Sequence, residues 1–126
     1  MFEYKASLVR VVDGDTIDVD LDLGFGVWLK KQRVRLYGIN TPESRTRDLE
    51  EKKRGLAAKD RVIELLENCE ELSIKTIINK KARGKYGRIL ADILADGINV
   101  NQTLVSEGHA VEYFGGKRWS TKLKIK

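Results

Sequence analysis

The sequence predicts an α+β fold, a five-stranded OB-like Greek-key β-barrel with two to three flanking helices. Three observations predict it: five strand-like segments, a helical period between the third and fourth of them, and tight-turn signals at the junctions. The 126 residues suffice for one domain with a single modest core.

Leu8 to Val12 reads as the end of the first strand, closed by the turn signal Asp13-Gly14-Asp15. TIDVDLDL then alternates strictly. Ile17, Val19, Leu21 and Leu23 share one face, and Asp18, Asp20 and Asp22 share the other, which is expected to be solvated. Gly24-Phe25-Gly26 interrupts the run, and a third strand follows from Gln32 to Ile39. Ala58, Val62, Leu65 and Cys69 recur at helical spacing, which predicts a helix of about 14 residues around 54–68. Leu72 to Ile78 and Arg88 to Leu94 supply the fourth and fifth strands, with the basic loop NKKARGKYG between them. Asp96-Gly97 marks a tight turn, and Asn99 with Gln102 resembles a capping box opening a short helix that Gly108 ends.

Composition narrows the class. At 41% apolar and 34% charged residues the chain reads as globular rather than disordered. Its 24 Lys and Arg against 19 Asp and Glu give +5, a balance suited to a polyanion. Cys69 stands alone, so no intrachain disulfide can form, and its leucine neighbours mark it as a small core residue. One His and one Cys exclude a zinc site, so any metal must be held by oxygen: calcium, magnesium or manganese. No apolar run reaches membrane-spanning length, and no membrane partner is expected. Glu3, Lys5 and Arg10 interrupt any secretory leader, so the expected location is cytoplasmic, with a phage gene as one fitting source.

Several charges stand where charges are costly. Asp15 shares the odd-numbered face with Ile17, Val19 and Leu21, and a carboxylate there needs a cation or hydrogen-bond donors. Arg35 alternates with Val34 and Leu36, while Tyr37 and Ile39 cover its own face. Its guanidinium requires an anion, either a protein carboxylate or a bound phosphate. In the basic loop, glycines would let the backbone approach a ligand, and Tyr86 could contact phosphate or stack on a base. Pro42, the chain's single proline, stands between Thr41 and Glu43, where it stiffens the turn.

Taken together, DGDT at 13–16, RLYGINTPE at 35–43 and KYGR at 85–88 resemble the signature blocks of the thermonuclease, or staphylococcal nuclease-like, family. ADGINVNQTLVSEGHA at 95–110 resembles the segment that follows them, and order and spacing agree over roughly residues 5–113. The resemblance implies a five-stranded barrel and calcium-dependent hydrolysis of DNA and RNA to 3′-phosphate products, largely without sequence specificity. It implies metal ligation by the Asp15 carboxylate, the Asn40 side chain and the Thr41 carbonyl, with magnesium or manganese as alternatives to calcium. It further implies that Glu43 activates or orients the attacking water and that Arg35 and Arg88 hold the scissile phosphate. Lys85 and Tyr86 then contact flanking phosphates, and Tyr113 falls near a base-stacking tyrosine. The implied domain covers 1–114, followed by a short basic tail at 115–126, and the expected state is a monomer.

The chain departs from the family at two positions. Asn40 stands where an aspartate is typical, which removes a full negative charge from the implied calcium site. Gly84 likewise replaces an aspartate in the basic loop. The competing reading is a catalytically weak or inactive nucleic-acid-binding module on the same fold. Retention of Asp15, Arg35, Glu43 and Arg88 favours the enzyme.

Overall fold

A barrel closes where the third strand in chain order meets the sixth. The structure is a computed structural model and describes residues 2–77 and 89–113. Its elements are β1 Glu3–Asp13, β2 Thr16–Gly24, β3 Val27–Leu36, β4 Ile39–Asn40, α1 Leu49–Glu67, β5 Leu72–Thr76, β6 Ile89–Ala95, β7 Ile98–Asn99, α2 Val100–Ser106 and β8 Val111–Glu112. The sheet runs β3-β2-β1-β5-β6-β7, and β6 returns to pair with β3. Five long strands thus form a closed barrel. All its pairings are antiparallel except β3–β6, where Val34, Arg35 and Leu36 lie parallel to Ile89, Leu90 and Ala91. Closure leaves the five-strand OB-like α+β architecture read from the sequence.

The alternation in β2 fills the barrel. Ile17, Val19 and Leu21 are buried together with Val34, Leu36, Ile74, Ala91 and Ile93, and the helices add Val62, Leu66, Val100 and Leu104. Cys69 packs against this core, and burial pushes its thiol pKa up, as fits a small core residue rather than a nucleophile.

Several boundaries differ from the sequence expectation. Helix α1 begins at Leu49 rather than near 54, because Asp48 caps it: its carboxylate accepts from the backbone N–H groups of Glu50 and Glu51. Those two acids also favour the positive end of the helix dipole. Strand β3 begins at Val27 and ends at Leu36, earlier at both ends, because Gly38 with φ +80° breaks the extended path before the two-residue β4. The Asn99 cap holds as read, its side chain accepting from Gln102 N–H at 3.0 Å. Gly108, at φ +83°, follows the end of α2.

Asp18, Asp20 and Asp22 face outward as expected, yet they are not simply solvated. Asp18 is clasped by Arg33 at 2.8 and 3.1 Å and by Arg10 at 3.1 Å, and these bonds, Arg33 foremost, hold its carboxyl below the ordinary range. Asp20 accepts the N–H of Lys31, a residue at φ +52°, and Asp22 accepts that of Gly24.

Candidate active site

The β2–β3 register sets Thr16 opposite Arg35, so Asp15 lies beside the arginine where the barrel closes. The Leu36 N–H donates to the Asp15 carbonyl at 2.9 Å and pins that corner. Asp15 and Arg35 side chains are each 14% exposed. The Asp15 carboxylate accepts from the Thr41 backbone N–H at 3.2 Å and from the Thr16 hydroxyl at 3.1 Å, and the Arg35 guanidinium lies 3.7 Å away. These partners meet the requirement that its core-facing position imposed.

Arg35 is fixed mainly by the main chain. Its Nη1 donates to the carbonyls of Leu36 and Ile39, both at 2.9 Å, and Nη2 donates to Asn40 Oδ1 at 3.3 Å. The turn that presents those carbonyls is held from the other side by Asn101. This buried residue of α2 donates to the Tyr37 carbonyl at 2.8 Å and the Ala91 carbonyl at 3.2 Å, and its Oδ1 accepts the Ile93 N–H. Asn101 also donates to Asp92, whose carboxyl is pushed up by burial. Pairing of β4 with β8 closes the turn, and the Tyr113 N–H donates to the Gly38 carbonyl at 2.8 Å. Tyr113 therefore has its backbone beside the segment that carries Asn40.

Two side-chain oxygens, from Asp15 and Asn40, thus converge on one guanidinium, with Thr41 bonded to the first of them. Thr41 is buried, and its Oγ1 has no hydrogen-bond partner among the described residues. An oxygen-only donor set of this kind fits a hard divalent cation. No group of three His, Cys, Asp or Glu is placed to hold a metal ion among the described residues. Within that set Asp15 is the one anionic group, beside the neutral Asn40 and a carbonyl.

Beyond Pro42 the chain turns outward, and Glu43 is exposed. Its backbone is seated on the first two turns of α1. The Glu43 N–H donates to Glu51 Oε2 at 3.1 Å. Gly55 lies directly beneath: a Cβ there would collide with the Glu43 carbonyl and come 2.7 Å from the Ser44 nitrogen. Gly14 is a second close approach, where a Cβ would lie 2.9 Å from both Thr41 Oγ1 and Ala58 Cβ. Pro42 therefore joins a buried Thr41 to an exposed Glu43 whose position is set by backbone contact with a helix.

The structure brings together Asp15, Arg35, Asn40 and Thr41, places Glu43 two residues on, and sets the Tyr113 backbone alongside. Arg88, Lys85 and Tyr86 lie outside the described residues. Sequence reading missed Glu51, Gly55 and Asn101. Gly55 carried a signal, since a glycine inside a helical period costs about 1 kcal/mol against alanine and calls for a packing reason.

The profile of the staphylococcal nuclease homologue family matches residues 33–125. The chain belongs to that family. Endonuclease YhcR of Bacillus subtilis (strain 168) is 30% identical over 118 residues, covering 89% of this chain and 9% of the relative. Thermonuclease of Staphylococcus hyicus is 32% identical over 108 residues, covering 86% of this chain and 59% of the relative. Endonuclease YncB of Bacillus subtilis (strain 168) is 36% identical over 106 residues, covering 84% and 46%. The chain spans less than two thirds of the length of each of these relatives.

Proposed function

We propose that this chain is a metal-dependent, largely sequence-non-specific phosphodiesterase that cleaves DNA to 3′-phosphate products, with RNA as a second candidate substrate. The observation that carries the reading is Arg35: a guanidinium fixed by two main-chain carbonyls beside an oxygen-only donor set. The endonuclease and thermonuclease names of the relatives support it.

Asp15, Asn40 and the Thr41 carbonyl would hold calcium, with magnesium or manganese as substitutes. When bound, the cation supplies positive charge where the phosphoryl oxygens gain negative charge. Arg35 binds a phosphate oxygen and is already oriented, so little reorganisation accompanies the reaction. Glu43 accepts a proton from, or orients, the water that attacks phosphorus, and its seat on Glu51 and Gly55 fixes where that carboxylate can reach. Arg88 is the second phosphate clamp, and Lys85, Tyr86 and Tyr113 contact the flanking nucleotides.

The test is digestion of plasmid DNA and of RNA with calcium, magnesium, manganese or chelator, comparing wild type with Glu43→Gln. Calcium-supported cleavage that chelator abolishes is expected, with new 5′-hydroxyl ends that a polynucleotide kinase labels directly. Glu43→Gln should slow cleavage by about 10²-fold or more. Nucleic acid bound without cleavage under every metal would make the chain a binding module instead.

A further inference from the structure

Barrel closure rests on a short parallel seam. Val34, Arg35 and Leu36 of β3 lie against Ile89, Leu90 and Ala91 of β6, and the Tyr37 N–H continues the ladder by donating to the Ala91 carbonyl at 2.8 Å. In a regular parallel ladder the next rung runs from the Ile93 N–H to the Tyr37 carbonyl. Asn101 of α2 occupies that rung. Its Oδ1 accepts the Ile93 N–H at 3.1 Å, and its Nδ2 donates to the Tyr37 carbonyl at 2.8 Å. One side-chain amide is thus inserted between two strands that would otherwise bond directly, and it replaces one hydrogen bond by two.

The insertion falls where the path of β3 changes. Gly38, at φ +80°, turns the chain out of the sheet directly after Tyr37. The Ile39 carbonyl and Asn40 Oδ1 then reach Arg35, whose Nη1 also bonds the Leu36 carbonyl. All three acceptors of the guanidinium therefore lie within three residues of the wedged carbonyl. A seam that zipped by one more rung would draw Tyr37 onto β6 and take those acceptors with it. Asn101 is held firmly enough to prevent this. It is 2% exposed, and its Nδ2 also lies 3.2 Å from the Ala91 carbonyl and from the Asp92 carboxylate. Its helix is capped by Asn99 at one end and clasped at the other, where Arg61 of α1 binds Glu107 at 2.7 and 2.9 Å.

We propose that Asn101 is a positioning residue for Arg35: its amide wedges the β3–β6 seam open and so sets the direction in which the guanidinium meets a phosphate. A residue that merely filled the core would have no need to separate two backbone groups that satisfy each other. The effect on rate rests on the phosphodiesterase reading, whereas the effect on Arg35 itself does not.

The test compares the full wild-type chain with Asn101→Ala, each with and without Arg35→Lys. Once the amide is gone, the Ile93 N–H and the Tyr37 carbonyl can pair with each other, so neither is left buried without a partner. With plasmid DNA, kcat should fall about 10–10²-fold while KM stays within about twofold. In the Arg35→Lys background the same substitution should change kcat by less than about twofold, because no guanidinium remains to be aimed. Side-chain nitrogen NMR, with Arg35 assigned by its loss in Arg35→Lys, should show slow rotation of the Arg35 Nη groups in wild type and fast rotation in Asn101→Ala. Leu104→Ala, which removes buried apolar volume from the same helix but no side-chain hydrogen bond, controls for lost stability. If Asn101→Ala does not fold, Asn101→Asp carries the comparison, since it keeps the volume and the Ile93 acceptor and loses the donor. Equal losses of kcat in both Arg35 backgrounds, an equal loss in Leu104→Ala, or unchanged Arg35 Nη rotation would each overturn the proposal. A wild type that cleaves nothing would end the phosphodiesterase reading, and the Nη rotation would still decide this one.

Discussion

Two aspartate–arginine pairs lie close together on the β2–β3 ribbon, and they are built for different ends. Asp18 stands directly opposite Arg33 and is clasped at 2.8 and 3.1 Å, with Arg10 adding a third contact. The two aspartates are equally exposed and Arg35 is more enclosed than Arg33, yet the closest approach of Asp15 and Arg35 is 3.7 Å. Arg35 directs Nη1 to two main-chain carbonyls instead. A pair optimised for its own attraction uses up its oxygens and donors. A pair held near each other by the backbone spends those groups on other partners: Asp15 accepts from Thr16 and Thr41, and Arg35 donates to the Leu36 and Ile39 carbonyls and to Asn40. At 3.7 Å the pair is loosely matched as an internal salt bridge, and whether Arg35 also takes a phosphate is what an Arg35 variant decides.

The comparison breaks most directly at Arg35. Arg35→Lys should slow cleavage by about 10²–10³-fold, because an ammonium cannot offer two parallel bonds to a phosphoryl group. Steady-state kinetics on the folded variant, verified by its melting curve, decide this. Wild-type turnover would make Asp15–Arg35 a structural pair like Asp18–Arg33.

A smaller effect is expected beneath Glu43. Gly55→Ala places a methyl against the Glu43 carbonyl, and the loop must lift away. A shift of about 1 Å in a catalytic group can cost up to 10²-fold in rate. Cleavage should therefore fall about 10–10²-fold with little change in calcium affinity. Titration calorimetry separates the two, and a parallel loss of calcium binding would place Glu43 among the metal ligands.

Asn40→Asp sharpens the cation half. It adds an anionic oxygen beside Arg35 and Asp15, so calcium affinity should tighten about tenfold, equivalent to about 1.4 kcal/mol. Calcium titrations at fixed ionic strength check it, and unchanged affinity would show that residue 40 does not face the metal.

The smallest effect belongs to the clasped pair. Asp18 has its carboxyl held below the ordinary 3.8, so the stability it contributes is present above that pH and is lost as pH falls through the lower folded value. Asp18→Asn should cost about 1 kcal/mol near neutrality, flatten the acid limb of the stability profile and leave turnover unchanged. Acid titration followed by circular dichroism measures the first two.

Much of this was legible along the chain because it depends on near neighbours. The period-two alternation of β2 determined which residues fill the barrel, and the same parity showed that Asp15 would need partners. The Asn99 cap and the Asp96-Gly97 turn are local chemistry, complete within a few residues. Asp48 was equally local, and its cap on Glu50 and Glu51 was overlooked, which shortened α1 by over a turn. What tertiary structure alone decided joins residues far apart in sequence. Asp15 meets Thr41 across 26 positions, and Asn101 reaches the Tyr37 carbonyl across 64. Gly55 matters because the Glu43 backbone lies on it, a contact that depends on how α1 packs against the barrel. Residue type states what a side chain needs, whereas the register of β2 on β3 and the parallel closure of β3 on β6 decide which distant group supplies it.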